Sequence, residues 1–306
     1  MDKKPRIAFC FSWQARTLDQ TYQLFQQNLF DAAKEQWFDY DIFCAVEDDE
    51  DVVKVELLNP TKVEKIKSSE VRKIIDEKWW HFIEIGVAGK YCMEPISSIN
   101  QLQQFYKISQ SIKIKNKYKS GKGISYDIVF RLRFDCPFPR KLNFNNIFDK
   151  VRSSKKIVLG NRNKMEPSYK FIVKMEDFYF IMDDEASNVL WDIFEKWDVC
   201  YKWFEVKYKK LYKVFGYIRN ALDYFYKKSP LIALCFSIPF SYIFEMFFHS
   251  TSAEIVVLNY FKNMKCEVDT NTYITIWFVK NKKKYSKRHF ATHTKKWMFR
   301  KWKYEL

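Results

Sequence analysis

The chain has 306 residues, 47% of them apolar and 19% aromatic, with 53 Lys and Arg against 37 Asp and Glu for a formal net charge of +16. That much large apolar side chain can offset the entropy of ordering a backbone, which excludes a disordered polymer. Six glycines, no sustained heptad and no self-similar period exclude collagen, a long coiled coil and a repeat array, and leave one generous globular domain or a domain with an insertion.

Residues 6–12 form an apolar run of strand length. Thr17 with Gln20 reads as a capping box ahead of Leu18, Tyr22, Phe25 and Leu29, which predicts a helix. Residues 40–46 (YDIFCAV) predict a second strand, followed by an acidic run at 47–51 read as a solvated turn, as is a second acidic run at 183–185. Helical spacing of Ile99, Leu102, Phe105, Ile108 and Ile112 predicts a helix over 97–117, broken by Gly121 and Gly123, before a strand at 126–134 (YDIVFRLRF). Short strands are expected at 156–159 and 171–173, helices at 186–197 and 253–264, and a strand at 272–279. Strands alternating with helices imply an α/β fold with a mostly parallel central sheet flanked by helices, whose ligand crevice lies beyond the carboxyl ends of the strands.

The charge is concentrated. Residues 281–306 carry ten Lys or Arg and one Glu, and residues 201–230 carry eight basic and two acidic groups, so the remaining body is close to neutral. Both segments interleave the charge with Trp, Tyr and Phe, and the second runs into an apolar stretch at 231–248 that contains Pro239 and Glu245. A carboxylate in hydrocarbon costs about 2.5 kcal/mol or more, so this stretch reads as buried or lying in the plane of a membrane surface. The expected organisation is a main domain over 1–200 and 251–280, an insertion over 201–250 and a basic tail over 281–306. An anionic membrane surface is the expected partner of the basic segments; nucleic acid is the weaker alternative, because no helix-turn-helix, RNP or zinc-finger pattern is present.

Seven dispersed cysteines (Cys10, Cys44, Cys92, Cys136, Cys200, Cys235 and Cys266) without a C-x-x-C pair read as reduced core thiols. The apolar run at 7–11 is too short for a signal-peptide core. The expected location is cytoplasmic, peripheral on the inner face of a membrane. His289 and His293 stand i, i+4, but without a third ligand they do not make a zinc site.

Two constellations carry the chemistry. Gln14 and Arg16, in FSWQART, stand between the first strand and a helix N-terminus, where an arginine and backbone amides can hold a diphosphate or a base. Arg131, Arg133 and Asp135, in YDIVFRLRFD, alternate along a predicted strand and would share one face. Three charges on such a strand are costly unless paired or bound to a ligand. One reading makes Asp135 a ligand of a Mg or Mn ion bridging diphosphate oxygens, with an arginine neutralising charge on the leaving nucleotide. The other is a structural Arg133–Asp135 ion pair.

FCFSWQART, the predicted helix at 97–111, YDIVFRLRFD, MEDFYFIM and AEIVVLNYF, in this order, resemble a family of glycosyltransferases from bacterial capsule and lipopolysaccharide assembly and from some large viruses. The likeness covers about residues 1–190 and 251–268. It implies a GT-A-like fold and transfer of a sugar from a nucleotide-diphosphosugar to a glycan or lipid-linked acceptor. By position it implies nucleotide contact at Gln14 and Arg16, diphosphate or metal handling at Arg131, Arg133 and Asp135, and acceptor-side catalysis by Asp177, with Glu254 second. Trp13 stands where the family usually has Gly, and Arg133-Phe134-Asp135 offers one carboxylate where better-known GT-A enzymes have D-x-D. The contrasting expectation is a module without chemistry that grips nucleic acid or anionic lipid through its basic aromatic segments.

Overall fold

The computed structural model describes residues 4–84, 95–153, 155–159, 179–197, 261 and 264–269. In chain order the elements are β1 (Arg6–Trp13), α1 (Leu18–Phe25), a π-helical turn (Gln26–Phe30), α2 (Asp31–Glu35), β2 (Asp39–Glu47), a 3₁₀ segment (Val52–Leu58) and β3 (Lys62–Ile66). Then follow α3 (Ser68–Glu84), α4 (Pro95–Lys122), β4 (Ile128–Leu132), α5 (Phe144–Arg152), β5 (Ile157–Leu159), β6 (Tyr179–Met182), α6 (Asp184–Asp192) and β7 (Glu267–Asp269). The strands form one sheet in the order β3-β2-β1-β4-β6-β5-β7. Pairings are parallel except at β4–β6 and β5–β6. The fold is therefore α/β, with a mostly parallel sheet flanked by helices.

The sheet is covered on both faces because its strands bury alternate residues in opposite directions. Ile7, Phe9, Phe11, Phe130 and Ile181 belong to one cluster, packed with Phe25, Leu29 and Phe30 from the helical segment after β1. Ala8, Cys10, Phe43, Val129 and Phe180 belong to the other, packed with Leu102, Phe105, Ile108 and Ile112 of α4. Those four α4 positions are the stripe that the helical spacing predicts, and the helix stops at Gly123, whose φ of 62° suits a residue without Cβ.

Several local expectations are corrected. Thr17 precedes α1 without a side-chain capping bond; at φ −109° and ψ 8° it sits in a tight turn in which Leu18 N–H donates to the Ala15 carbonyl, which replaces the capping box. β4 ends at Leu132, so Arg133 and Asp135 lie beyond it and do not share a strand face with Arg131. Neither acidic run is merely solvated. Glu47 ends β2 and accepts three side-chain bonds. Asp183 caps α6, accepting from Ala186 N–H at 2.9 Å, and Asp184 pairs with Lys115 and Lys119 of α4.

Cys10, Cys44, Cys136 and Cys266 are buried, as dispersed core cysteines should be. Burial pushes the Cys10 thiol up to about 12. Among the described residues no helix is long and apolar enough to cross a membrane. The expected strands at 171–173 and 272–279, the insertion at 201–250 and the tail at 281–306 lie outside the described residues, as does nearly all of the expected helix at 253–264.

Candidate active site

β1 is followed by β2 on one side, while the chain returns through α3 and α4 to place β4 on the other. The winding thus reverses between β1 and β4, and the crevice beyond the carboxyl ends of these strands is where open α/β sheets bind ligands. Trp13 ends β1 there, and Arg133 follows β4.

The turn carrying Arg133 is fixed from beneath. Phe134 stacks on Phe11, with ring centroids 5.3 Å apart, and the Thr21 hydroxyl of α1 donates to the Phe134 carbonyl at 2.8 Å. Asn28 in the π-helical turn donates to the Phe138 carbonyl at 2.7 Å. These bonds tie the loop after β4 to the helices after β1.

Arg133 donates from its Nε and one terminal nitrogen to the two oxygens of Asp135, at 2.9 and 2.8 Å. Its guanidinium also lies 5.2 Å from the centre of the Trp13 ring. Lys107 of α4 lies 5.7 Å from the same ring. An indole face attracts cations through its quadrupole, so Trp13 is an aromatic plate held among positive groups. Its φ is 125°, a left-handed conformation that favours glycine. A non-glycine residue there carries about 1–3 kcal/mol of strain, which persists at sites where surrounding structure imposes it.

Glu47 closes the cluster from the end of β2. It accepts from Lys107 at 2.8 Å, from Gln14 at 2.8 Å and from the Ser68 hydroxyl. Burial alone would raise its pKa. The bonds from Lys107 and Ser68, the Lys107 charge and the Gln14 amide outweigh that and hold the carboxyl below its ordinary value.

Gln14, Arg133 and Asp135 thus sit at the carboxyl edge that the strand arrangement designates. Arg16 lies in the same connection after β1, where its carbonyl accepts from Lys54 at 2.9 Å. Arg131 is different: it is fully buried within β4, its Nε 3.3 Å from Ser12 Oγ and its guanidinium over Phe180 at 5.6 Å. It lies within β4 and does not reach the surface of the site. Asp177 and Glu254 lie outside the described residues.

Both oxygens of Asp135, the expected Mg or Mn ligand, accept from Arg133 in this structure. Among the described residues no three His, Cys, Asp or Glu gather as metal ligands. Sequence reasoning passed over Glu47, Lys107 and Ser68. The signal for Glu47 was its place at a strand's carboxyl end, masked by the four acidic residues that follow it.

No protein-family model matches the chain, and no curated protein matches it. Among solved structures it is similar to mouse xyloside xylosyltransferase 1 in its apo form, at 13% identity and a TM-score of 0.36, covering 61% of this chain and 73% of that one. It is also similar to the apo WbbM bifunctional glycosyltransferase, at 10% identity and a TM-score of 0.32, covering 64% of this chain and 34% of that one. At these values the likenesses stand as observations, and the functional reading rests on the site itself.

Proposed function

We propose that this chain is a glycosyltransferase of GT-A-like fold that takes a sugar from a nucleotide-diphosphosugar at the β1/β4 edge and passes it to a glycan or lipid-linked hydroxyl. The observation that supports this reading is Trp13, strained and flanked by Arg133 and Lys107 where the sheet's winding reverses. An aromatic plate beside cations offers stacking to a nucleobase and charge to a diphosphate.

Transfer breaks the bond between the sugar's anomeric carbon and the diphosphate oxygen, and forms one to the acceptor oxygen. The barrier falls chiefly through stabilisation of the departing diphosphate. Arg133, on leaving Asp135, would meet that charge, with Arg131 behind it. Gln14 and Arg16 would hold the nucleotide. If the anomeric centre inverts, the acceptor's proton goes to a carboxylate, for which Asp177 is our first assignment and Glu254 our second. The setting implied by the family resemblance is surface polysaccharide synthesis.

Calorimetric titration of the full chain with UDP-, GDP- and CMP-sugars, with and without manganese, tests this. We expect saturable binding of at least one donor, and product formation when a glycan acceptor is added. The absence of binding by every donor would reject the reading. The basic segments at 201–230 and 281–306 favour a second reading, a module that grips anionic membrane or nucleic acid without chemistry. That reading predicts salt-sensitive sedimentation with anionic vesicles, or retention on nucleic acid, with no donor binding.

A further inference from the structure

The structure has a cleft of about 670 Å³ at the end of the strands opposite the β1/β4 carboxyl edge. Arg6, the first residue of β1, and Asp39 and Tyr40, the first of β2, line it together with the helical segment after β1 and the loop before β3. Seven steps along β1 separate Arg6 from Trp13, which at roughly 3.3 Å per residue is about 23 Å. The two sites are therefore distinct. The volume falls within the about 300–1,000 Å³ typical of small-molecule sites.

The wall chemistry narrows the ligand. The Tyr40 ring is backed by Phe30, with centroids 5.5 Å apart and planes 25° apart, and Lys34 sits 5.5 Å from its centre. A ring that attracts an ammonium group presents a negative face, which equally suits the weakly positive C–H face of a sugar ring. Tyr22, half-buried, lines the same cleft, its hydroxyl donating to Gln26 Oε1 at 3.5 Å. Asn59, exposed at the rim, adds an amide that both donates and accepts.

Of the charged lining residues, Arg6 and Asp39 already have ionic partners, while Lys34 rests over the Tyr40 ring. Arg6 Nε lies 3.0 Å from Asp41, and Asp39 lies 2.9 Å from Lys4. A phosphate or carboxylate would have to compete with Asp41 for Arg6 and with the Tyr40 ring for Lys34, whereas a neutral polyhydroxyl needs only the tyrosine faces and amides. The wall's π-helical turn supplies both Gln26 and Phe30; such turns appear often at functional sites.

We infer that this cleft binds a neutral saccharide, stacked on Tyr40 and Tyr22 and hydrogen-bonded by Gln26 and Asn59. It requires nothing of the chemistry proposed at the β1/β4 edge. The test is titration of the full chain with neutral linear trisaccharides of glucose, galactose, mannose and xylose, followed by saturation-transfer NMR and calorimetry. At least one should bind saturably in the millimolar range or tighter. Tyr22→Ala should weaken it tenfold or more, and Tyr22→Phe should retain the stacking. Asn59→Gly should weaken it several-fold without touching the fold, because Asn59 has φ 46° and glycine accepts that conformation; this variant decides the matter if Tyr22→Ala fails to fold. Arg133→Ala should bind the trisaccharide as the parent does. Binding by none of the four sugars, indifference to Tyr22→Ala and Asn59→Gly, or loss in Arg133→Ala would overturn the assignment. Failure of this test leaves nucleotide-sugar binding at Trp13 unaffected, and the reverse holds too.

Discussion

Replacing Glu47 by Gln tests whether the Glu47–Lys107 pair organises the carboxyl edge. Lys107 is 2% exposed, and its ammonium lies 2.8 Å from a Glu47 oxygen. Glutamine keeps the shape but removes the charge that compensates a buried cation. Breaking a buried pair from one side costs about 3–5 kcal/mol, and the partial exposure of Glu47 points to the lower end, about 3 kcal/mol. At about 2–3 °C per kcal/mol for a chain of this size, the thermal midpoint should fall by roughly 6–9 °C at pH 7. Glu47→Gln with Lys107→Met removes both charges and should recover most of the loss, to within about 1 kcal/mol of the parent.

The pH dependence gives a second handle on the same pair. The folded-state pKa of Glu47 is lowered, so its contribution is fully present above the ordinary carboxylate value of 4.5 and is lost as pH falls through the lower folded value. The gap between parent and Glu47→Gln should therefore close in acid. Differential scanning calorimetry from pH 7 down to pH 3 measures all of this. A single substitution within about 0.5 kcal/mol of the parent at pH 7, or strictly additive single effects, would refute the reasoning.

Trp13→Gly should relieve the φ of 125° while removing the aromatic plate, so the thermal midpoint holds or rises even as donor affinity drops at least tenfold; a lower midpoint with unchanged affinity would contradict it. Arg133→Ala should cost tenfold or more in donor affinity, read by calorimetry, because it removes the cation nearest the plate. Asp135→Asn frees that guanidinium without deleting it and should leave affinity unchanged or higher; a loss as large as that of Arg133→Ala would show that the carboxylate itself binds. Cys10, with its thiol pushed up to about 12 by burial, should resist alkylation at pH 8 until denaturant unfolds the chain, as peptide mass spectrometry would show.

The central strands were legible because burial on both faces leaves unbroken apolar runs, as in β1 and β2. Strand β3 was not, since it is an edge strand with only Ile66 buried, and its KVEKI sequence carries no core signal. β6 is buried throughout but only four residues long, too short for a periodicity to register. At the site, alternation placed Arg131, Arg133 and Asp135 on one face because it assumed that the strand continued. The chain turns after Leu132, so Arg133 reaches Trp13 while Arg131 stays in the core.

The buried lysines were hidden by their own chemistry. Lys115 extends the α4 stripe, three residues beyond Ile112, and is fully buried against Asp184 and Ser187. Its position carried the signal, while its charge suggested solvent. Trp13 was visible as a departure from the glycine of the resembling family, but its strained backbone emerges only from the fold.

The most direct measurement is a crystal structure of the full chain with the nucleotide-diphosphosugar that calorimetry selects. The account predicts the base against Trp13, the diphosphate at Arg133, and the Arg133–Asp135 pair opened. Donor bound away from the β1/β4 edge, with that pair still closed, would contradict it.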